Sequence, residues 1–569
     1  MTRLEQLRSQ RLLRHFVHGF FDNELIAAGG EAHQIFVTAI ALLGGVGFTL
    51  SVGFAWKYSG QMLDKATQVQ RMWAGISDNL LVILIVMSLM GLLTVLAWDG
   101  LFPTRRDAHV LGALPIKPGE IFRARLYATL LFFFITLTAL AVFPNFVLPI
   151  AHSGGDSFGM LLRRFAAQTV AVTAAASFVF FGAAALQGIL LAILSYGRFL
   201  QASSFFQIVW LLSSFALFFL TPNPAVAANH HLDWVVYLPP YWFFGLWQNL
   251  EGGTWLYGPA PALAGAISVA ALVSLAMILL AVLYRGALRK AVEGLPLSPS
   301  GPGIVSRAVQ SVLNFTLLRD TRQRAVFWFA ARTLARHRSH RLLLAVYIGI
   351  GLSWVLAGLS DVLISGVTKR FLAPNPVTCT IPFDLAVILL AGMRVIFTLP
   401  VEVRANWLFR TTAPDRDAVL ARASRKLMVC VGVLPMAILP APFYVMAWGW
   451  QCALAHTWLY FLMISIVLEY LLLRFYKIPF TCSWLPGRSN MKVRLGVYFV
   501  IFGAVTTLFG SIETYFLSKQ RWDSLRSFSI FLLIILAWRL WRRYDAGQEP
   551  WSFTFEEQPD LEVQPLALN

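Results

Sequence analysis

The sequence predicts an all-α, polytopic membrane protein with about twelve transmembrane helices in two related six-helix halves. Three observations carry this expectation. Of 569 residues, 58% are hydrophobic and 13% charged, against roughly 45–50% and about 25% in soluble domains. Mean hydropathy is +0.66. Long apolar runs alternate with short basic segments along the whole chain. Such a composition excludes a soluble enzyme, a disordered chain and a disulfide scaffold.

A helix needs about 20 mostly apolar residues to cross a bilayer. Lipid offers the backbone no hydrogen-bonding partner, so these runs must be helical. In order they are 34–55, 78–98, 126–150, 168–194, 204–221, 260–284, 342–364, 381–400, 427–448, 453–473, 495–516 and 527–541. The fourth is long enough to tilt or to extend beyond the lipid.

The basic residues orient these spans. With the N-terminus in the cytoplasm, 35 of the 46 lysines and arginines fall on inside segments and 10 on outside ones, Arg394 lying within a span. That bias follows the positive-inside rule. It places both termini in the cytoplasm and accounts for the net charge of +18 without nucleic-acid binding. Arg163–Arg164 and the segment Lys519–Arg526 run against the trend.

The segments outside the spans complete the domain plan. Residues 1–33 mix Arg11, Arg14 and His18 with Leu12, Leu13, Phe16, Phe20 and Phe21, which suits an amphipathic helix lying in the inner interface. The first half spans 34–284. A basic cytoplasmic linker, 285–341, opens with the Pro-, Gly- and Ser-rich stretch 294–303 and continues into a helix. The second half covers 342–543. An acidic tail, 544–569, has the composition of a disordered segment.

The halves share more than a span count. The second span is followed by residues 97–126 and the eighth by 400–427. Both segments carry aromatic and basic residues, pass a proline and end in an Arg-rich helix. At an offset of 299, Pro115 matches Pro414 and Arg123 matches Arg422; at 298, Arg106 matches Arg404. Six spans per half imply repeats of the same orientation, related by an axis along the membrane normal.

Chemical motifs are few. The chain has no P-loop, no dinucleotide fingerprint, no H-E-x-x-H and no nucleophile elbow. Cys379, Cys430, Cys452 and Cys482 are widely spaced, so no zinc or disulfide framework is indicated. His230, His231 and Asp233 are the nearest approach to a metal cluster, but adjacent histidines diverge on most backbones, and no metal site is expected. The same outside segment, 222–259, is rich in aromatics (Trp234, Tyr237, Tyr241, Trp242, Phe243, Phe244, Trp247, Trp255). It reads as an interfacial belt, or as a lid over an amphiphilic substrate. A Pro- and Gly-bearing phrase, 477–490, reads as a turn around Cys482.

Ionisable residues within spans merit functional suspicion. Asp384, Arg394 and Glu469 are the candidates, with Arg394 and Glu469 able to pair between the eighth and tenth spans. So few intramembrane charges argue against a proton relay and fit a pump driven from elsewhere.

The most informative stretch is 99–125, LFPTRRDAHVLGALPIKPGEIFRARLY with the residues that flank it. An amphipathic segment sets Val110, Leu111 and Leu114 against Arg106, Asp107 and His109. Pro118–Gly119 then turns into a helix with Glu120 in its first turn, where an acid suits the helix dipole. A short surface helix between two spans can dock in a partner's groove. The run of Leu-Phe-Pro, a basic residue, Asp107, Leu111, Leu114-Pro115-Ile116, Glu120-Ile121 and Arg125 resembles the corresponding loop of large bacterial ABC exporter permeases of the second exporter type.

That resemblance implies that the stretch is a coupling helix facing a separate ATPase. The contact residues would be Arg106, Asp107, Leu111, Leu114, Pro115, Ile116 and Glu120, with Arg404, Pro414 and Arg422 as their counterparts in the second half. It implies cytoplasmic ATP-binding subunits as partners, with ATP and Mg held there and no cofactor or catalytic residue on this chain. It also implies a bacterial inner (plasma) membrane location. The second loop carries Thr412-Ala413-Pro414-Asp415 where the first has Leu-Pro-Ile-Lys. One chain therefore supplies both halves of a transporter, or works in a homodimer. Two other classes remain open. A membrane-embedded enzyme acting on a lipid-linked substrate would need outside carboxylates such as Asp64 or Asp78. A secondary transporter would need more buried charge.

Overall fold

The computed structural model describes residues 10–17, 32–59, 68–101, 111, 116–152, 157–252, 256–293, 304–365, 373–399, 418–472, 479–480 and 491–546. Among these, all regular structure is helical. Twelve helices are long and apolar enough to cross a membrane, so the chain is an all-α, polytopic membrane protein. Its internal contacts divide it into unit one, residues 1–300, and unit two, residues 301–569. Six spans lie in each.

Unit one begins with α1 (10–17). Its spans are α2 (Ala32–Tyr58), α3 (Gln68–Leu96), α4 (Pro118–Ala151), α5 (Phe158–Ile193), α6 (Tyr196–Leu220) and, after a short aromatic helix α7 (Pro239–Glu251), α8 (Ala260–Glu293). Several helices start well before the apolar runs. Pro118 occupies the first turn of α4, where a missing N–H costs nothing. Ser157 caps α5, its hydroxyl accepting from the Met160 amide. At about 1.5 Å per residue the 36 residues of α5 reach roughly 54 Å, well beyond a hydrocarbon core of about 30 Å. Its first turns therefore stand outside the lipid.

Unit two begins with two amphipathic helices, α9 (Ile304–Thr316) and α10 (Thr321–Arg336), in the stretch read from sequence as a basic linker. Its spans are α11 (Arg338–Ser365), α12 (Pro376–Ile396), α13, α14 (Trp450–Leu471), α15 (Met491–Ser518) and α16 (Trp522–Ala546). The helix α13 is built from Ala418–Met428, a π-turn at Val429–Val433, Leu434–Ile438 and Ala441–Trp448. Pro435 stands two residues beyond the π-turn. Having no N–H and a ring that crowds the preceding turn, it forces the hydrogen-bond register to widen there.

The two units use one packing scheme. In unit one α3 packs on α5 and α6, and α5 packs on α8. In unit two α12 packs on α14 and α15, and α14 packs on α16. These are the second, fourth, fifth and sixth spans of each half. In each unit the second span is the most buried. The first span differs: α2 leans chiefly on α4, whereas α11 leans on α12.

Close approach at the second-to-fifth-span contact depends on glycine in both units. A Cβ at Gly91 on α3 would meet Ser214 of α6. A Cβ at Gly510 on α15 would lie 2.9 Å from the Pro376 carbonyl oxygen of α12. Without a hydrophobic force between helices in lipid, such small-residue contacts carry much of the association. Gly503 on the same helix has nothing within 4 Å of its Cβ position. Gly510→Ala should therefore cost about 1–3 kcal/mol through overpacking. Gly503→Ala should be neutral or gain up to about 1 kcal/mol in helix propensity. Thermal unfolding in mild detergent, followed by loss of soluble protein, checks the ordering.

Candidate functional site

The stretch expected to couple to a partner leaves α3 through a single 3-10 turn, Trp98–Gly100, and returns at Lys117. Its root in unit one is a network of buried polar bonds. Arg125, about two turns into α4, is 4% exposed. It donates Nε and Nη2 to the Gly100 carbonyl at 3.1 and 2.8 Å. Trp98 Nε1 donates to Ser203 Oγ of α6 at 2.8 Å. Gln187 of α5 donates to the Trp98 carbonyl at 3.0 Å, and Gln207 of α6 to the Val95 carbonyl at 2.9 Å. These bonds satisfy carbonyls that the end of α3 leaves without intrahelical donors. The Arg125 guanidinium also lies over the Phe16 ring of α1 at 5.2 Å, and Leu12 and Phe16 are buried in the core of unit one. The N-terminal helix thus braces the same root.

Of the residues assigned to the first loop, Leu111 is buried in the unit-one core and Ile116 packs against it. Both side chains anchor the loop instead of facing outward. Glu120 sits half-buried in the first turn of α4. Arg106, Asp107, Leu114 and Pro115 lie outside the described residues, as do Arg404 and Pro414 of the second loop. Arg422 is exposed near the start of α13.

The root of the second loop is built on the matching carbonyl with different chemistry. Leu399, which is Gly100 displaced by 299, ends the turn after α12. Its carbonyl accepts from Nε2 of His340, a buried residue near the start of α11, at 3.1 Å. His340 Nδ1 faces His337 Nδ1 at 2.6 Å. Because the carbonyl requires Nε2–H, His340 Nδ1 is either the acceptor from His337 or, in the doubly protonated ring, the donor to it. Phe480 closes the root: its amide donates to the Phe397 carbonyl at 3.0 Å, and its ring lies 4.8 Å from that of His340. Phe480 is 2% exposed and holds φ 67°, an uncommon conformation for a side chain of its size. This is the described fragment of the 477–490 phrase; Cys482 lies outside the described residues. At the other end of the loop, Lys426 of α13 donates to the Leu317 carbonyl at 2.6 Å and to Gln323 Oε1 at 2.5 Å, tying α13 to α9 and α10.

The three intramembrane candidates have settled partners. Asp384 on α12 accepts from Thr506 Oγ1 at 2.9 Å and from Trp354 Nε1 at 3.1 Å. Glu469 on α14 is salt-bridged to Arg425 of α13, a partner that sequence spacing did not suggest. Arg394 donates Nε to the Leu471 carbonyl at 3.0 Å, two residues beyond Glu469 on the same helix. Sequence reading passed over a further pair, His456 on α14 and Glu513 on α15, 2.7 Å apart and fully buried. Both lie within runs already read as spans, so the expected scarcity of intramembrane charge does not hold. The signal was present: each is an ionisable residue inside an apolar run, His456 near the start of 453–473 and Glu513 near the end of 495–516.

The loop ends of unit one opposite α1 hold a second polar cluster. Asp78 accepts from Lys57 Nζ at 2.9 and 2.8 Å and from Tyr58 hydroxyl at 2.6 Å. His152, the residue after α4, stacks edge-on against Tyr58 at 4.4 Å. Arg164 binds Glu251 at 3.0 Å and the His152 carbonyl at 2.8 Å, and Arg163 binds the Leu250 carbonyl at 2.7 Å. The two arginines that ran against the charge bias are therefore held by the end of α7. That helix also corrects the reading of 222–259: Tyr241, Phe243, Phe244 and Trp247 are buried in the core of unit one, while Trp234 and Tyr237 are exposed. The buried four pack helices together and form neither a belt nor a lid. His230, His231 and Asp233 are exposed. Among the described residues no group of three or more His, Cys, Asp or Glu side chains is placed to hold a metal ion.

No protein-family model, curated protein or solved structure matches the chain.

Two expectations follow. Arg125→Met would leave the Gly100 carbonyl unsatisfied, at a cost of about 1–3 kcal/mol; faster hydrogen exchange across Trp98–Leu101 and a lower unfolding temperature are the readouts. Burial pushes the His152 imidazole down to about 4; Asp78 pulls the other way, and Arg164 and Lys57 add to the effect of burial. The unfolded ring takes a proton near its ordinary value of about 6.5, so between these limits the unfolded chain binds more protons than the folded one. Stability contributed by neutral His152 is complete above about pH 6.5 and is lost as pH falls toward about 4. The unfolding temperature should decline over that window, and His152→Gln should flatten the decline.

Proposed function

We propose that this chain is the membrane-spanning subunit of an ATP-driven exporter of the ABC class, with ATP and Mg bound on separate cytoplasmic subunits. The observation that carries the reading is the pair of braced roots. Two inter-span loops, 299 residues apart, each leave the bundle from a carbonyl held by a buried nitrogen donor: Gly100 by Arg125 and Leu399 by His340. A loop that transmits force must not yield where it joins its helices. In each unit that junction ends the most buried span, so a push on the loop would move a helix that touches two others.

The packing of the second, fourth, fifth and sixth spans shared by the units fits a two-halved permease, with the bacterial plasma membrane as its setting and both termini on the ATPase side. The unlike roots fit unequal grips on the partner. The enzyme alternative is weakened by Asp78, whose two carboxylate oxygens are occupied by an ammonium and a phenol and so are poorly placed to act as a base.

Purification of the tagged chain in mild detergent from its native host tests the reading. A stoichiometric subunit bearing a Walker motif should accompany it, with ATP turnover. Charge reversal by Asp107→Arg with Glu120→Arg should abolish coupled turnover while membrane insertion persists. A chain that purifies alone and leaves ATP untouched would overturn the proposal.

A further inference from the structure

We propose that unit two holds a proton-binding site formed by His456 and Glu513, which share one proton and exchange another with water during the working cycle. The argument starts from what each side chain lacks. His456 Nδ1 and Glu513 Oε1 are 2.7 Å apart, and the two residues are 2% and 0% exposed. Among the described residues neither His456 Nε2 nor Glu513 Oε2 has a hydrogen-bond partner. Buried polar groups are almost always paired, and a structural ion pair is stabilising only when its remaining lone pairs and protons are satisfied. This pair leaves one unsatisfied atom on each partner.

Asp384 provides the contrast within the same unit. It lies on α12 facing α15, and each of its oxygens accepts from a neutral donor. That is the arrangement of a group held in one state. At His456–Glu513, with Nδ1–H donating to Oε1, Nε2 carries either a bare lone pair or an N–H with no acceptor. A proton arriving from water can bind at Nε2 of the neutral ring or at the carboxylate. The pair then changes from net negative to net neutral, and releasing the proton to water restores the negative charge. No other reactant is needed.

The surroundings make such a change consequential. The Tyr444 ring of α13 stacks edge-on against His456 at 4.5 Å, and the Trp448 ring lies at 5.4 Å. The Tyr444 hydroxyl is committed to the Thr378 carbonyl of α12 at 2.8 Å. Cys379 of α12 accepts from Thr514 of α15 at 3.6 Å and is close enough to sense the Glu513 charge, as is Tyr444. Cys452 precedes His456 by one turn of α14, and Asp384 lies further along α12. Among the described residues His456 is the ionisable partner bonded to Glu513. The negative charge of the unprotonated pair has no fixed counter-charge beside it among the described residues, and low polarity magnifies its field. The response open to the protein is to part α14 from α15 and admit water. Gly510, which sets α15 against α12, lies one turn from Glu513. The site thus joins four of the six spans of unit two.

The test uses the full purified chain in lipid nanodiscs, with the proton itself as probe. Infrared difference spectra between about pH 5 and about pH 9, the range over which an imidazole–carboxylate pair can switch, should show a protonated-carboxyl band. That band should vanish in Glu513→Gln, shift in His456→Gln and persist in Asp384→Asn. Tryptophan emission should carry a component titrating with the same midpoint and missing in Trp448→Phe, because a protonated imidazole quenches a neighbouring indole. This second measurement needs no change at the pair. A wild-type spectrum without the band, a band that survives Glu513→Gln, or a wild-type-minus-Trp448→Phe emission difference that is flat with pH would overturn the proposal. None of these measurements involves ATP or a partner, so the exporter reading stands or falls separately.

Discussion

Each unit hangs on one span that has little lipid to face. In lipid, apolar surface gains nothing by leaving its surroundings, so a helix enters the centre of a bundle only if it packs closely or brings polar groups that need partners. The spans α3 and α12 do both. Gly91 lets α6 approach α3, and Gly510 lets α15 approach α12. On the polar side, Asp384 of α12 is bonded from α11 and α15, and the end of α3 is bonded from α4, α5 and α6. The central position, the small-residue contacts and the buried hydrogen bonds express one constraint.

That constraint explains why the two loop roots converge on the same solution. A carbonyl at the end of a buried span has neither an intrahelical donor nor bulk water. Unit one meets the need with Arg125, which carries its donors on a planar fork and stacks on Phe16. Unit two meets it with His340, whose ring is wedged between His337 and Phe480. The two halves therefore share a mechanical plan and differ in the donor that holds each root.

The spans were legible because hydropathy sums over some twenty residues, and no local detail can hide that sum. All twelve runs became helices; it was their ends that moved, among them the starts at Pro118 and Ser157, where polar first turns fall below the hydropathy signal. Partners were not legible. Glu469 could be seen as buried, but its pairing with Arg425 depends on how α13 lies on α14, which spacing along the chain does not encode. The aromatics of 222–259 looked interfacial because composition is the same whether a ring faces lipid or core. Pro239, Pro240 and Gly252, the start and stop signals of α7, were the clue that this stretch is a packed helix. Of the first loop's amphipathic segment the described residue is Leu111, and its burial in the unit-one core could not be read from the segment's own pattern.

The buried ionisable groups of unit two divide by satisfaction, and that division bears on how such a protein could be driven. Asp384 is bonded at both oxygens, Lys426 at a carbonyl and an amide oxygen, and Arg394 at a carbonyl. Each is positioned where a helix must be held. His456 and Glu513 are positioned where two helices meet, and the bond between them leaves an atom over on each side. A group that is fully satisfied resists change of state, because any change breaks bonds. A group that is half satisfied is poised, because one added proton costs no existing bond. On the proposed reading, energy from a partner at the loop roots and a proton at the α14–α15 contact therefore need not compete as drivers. The first can move the helices, and the second can decide in which arrangement they rest.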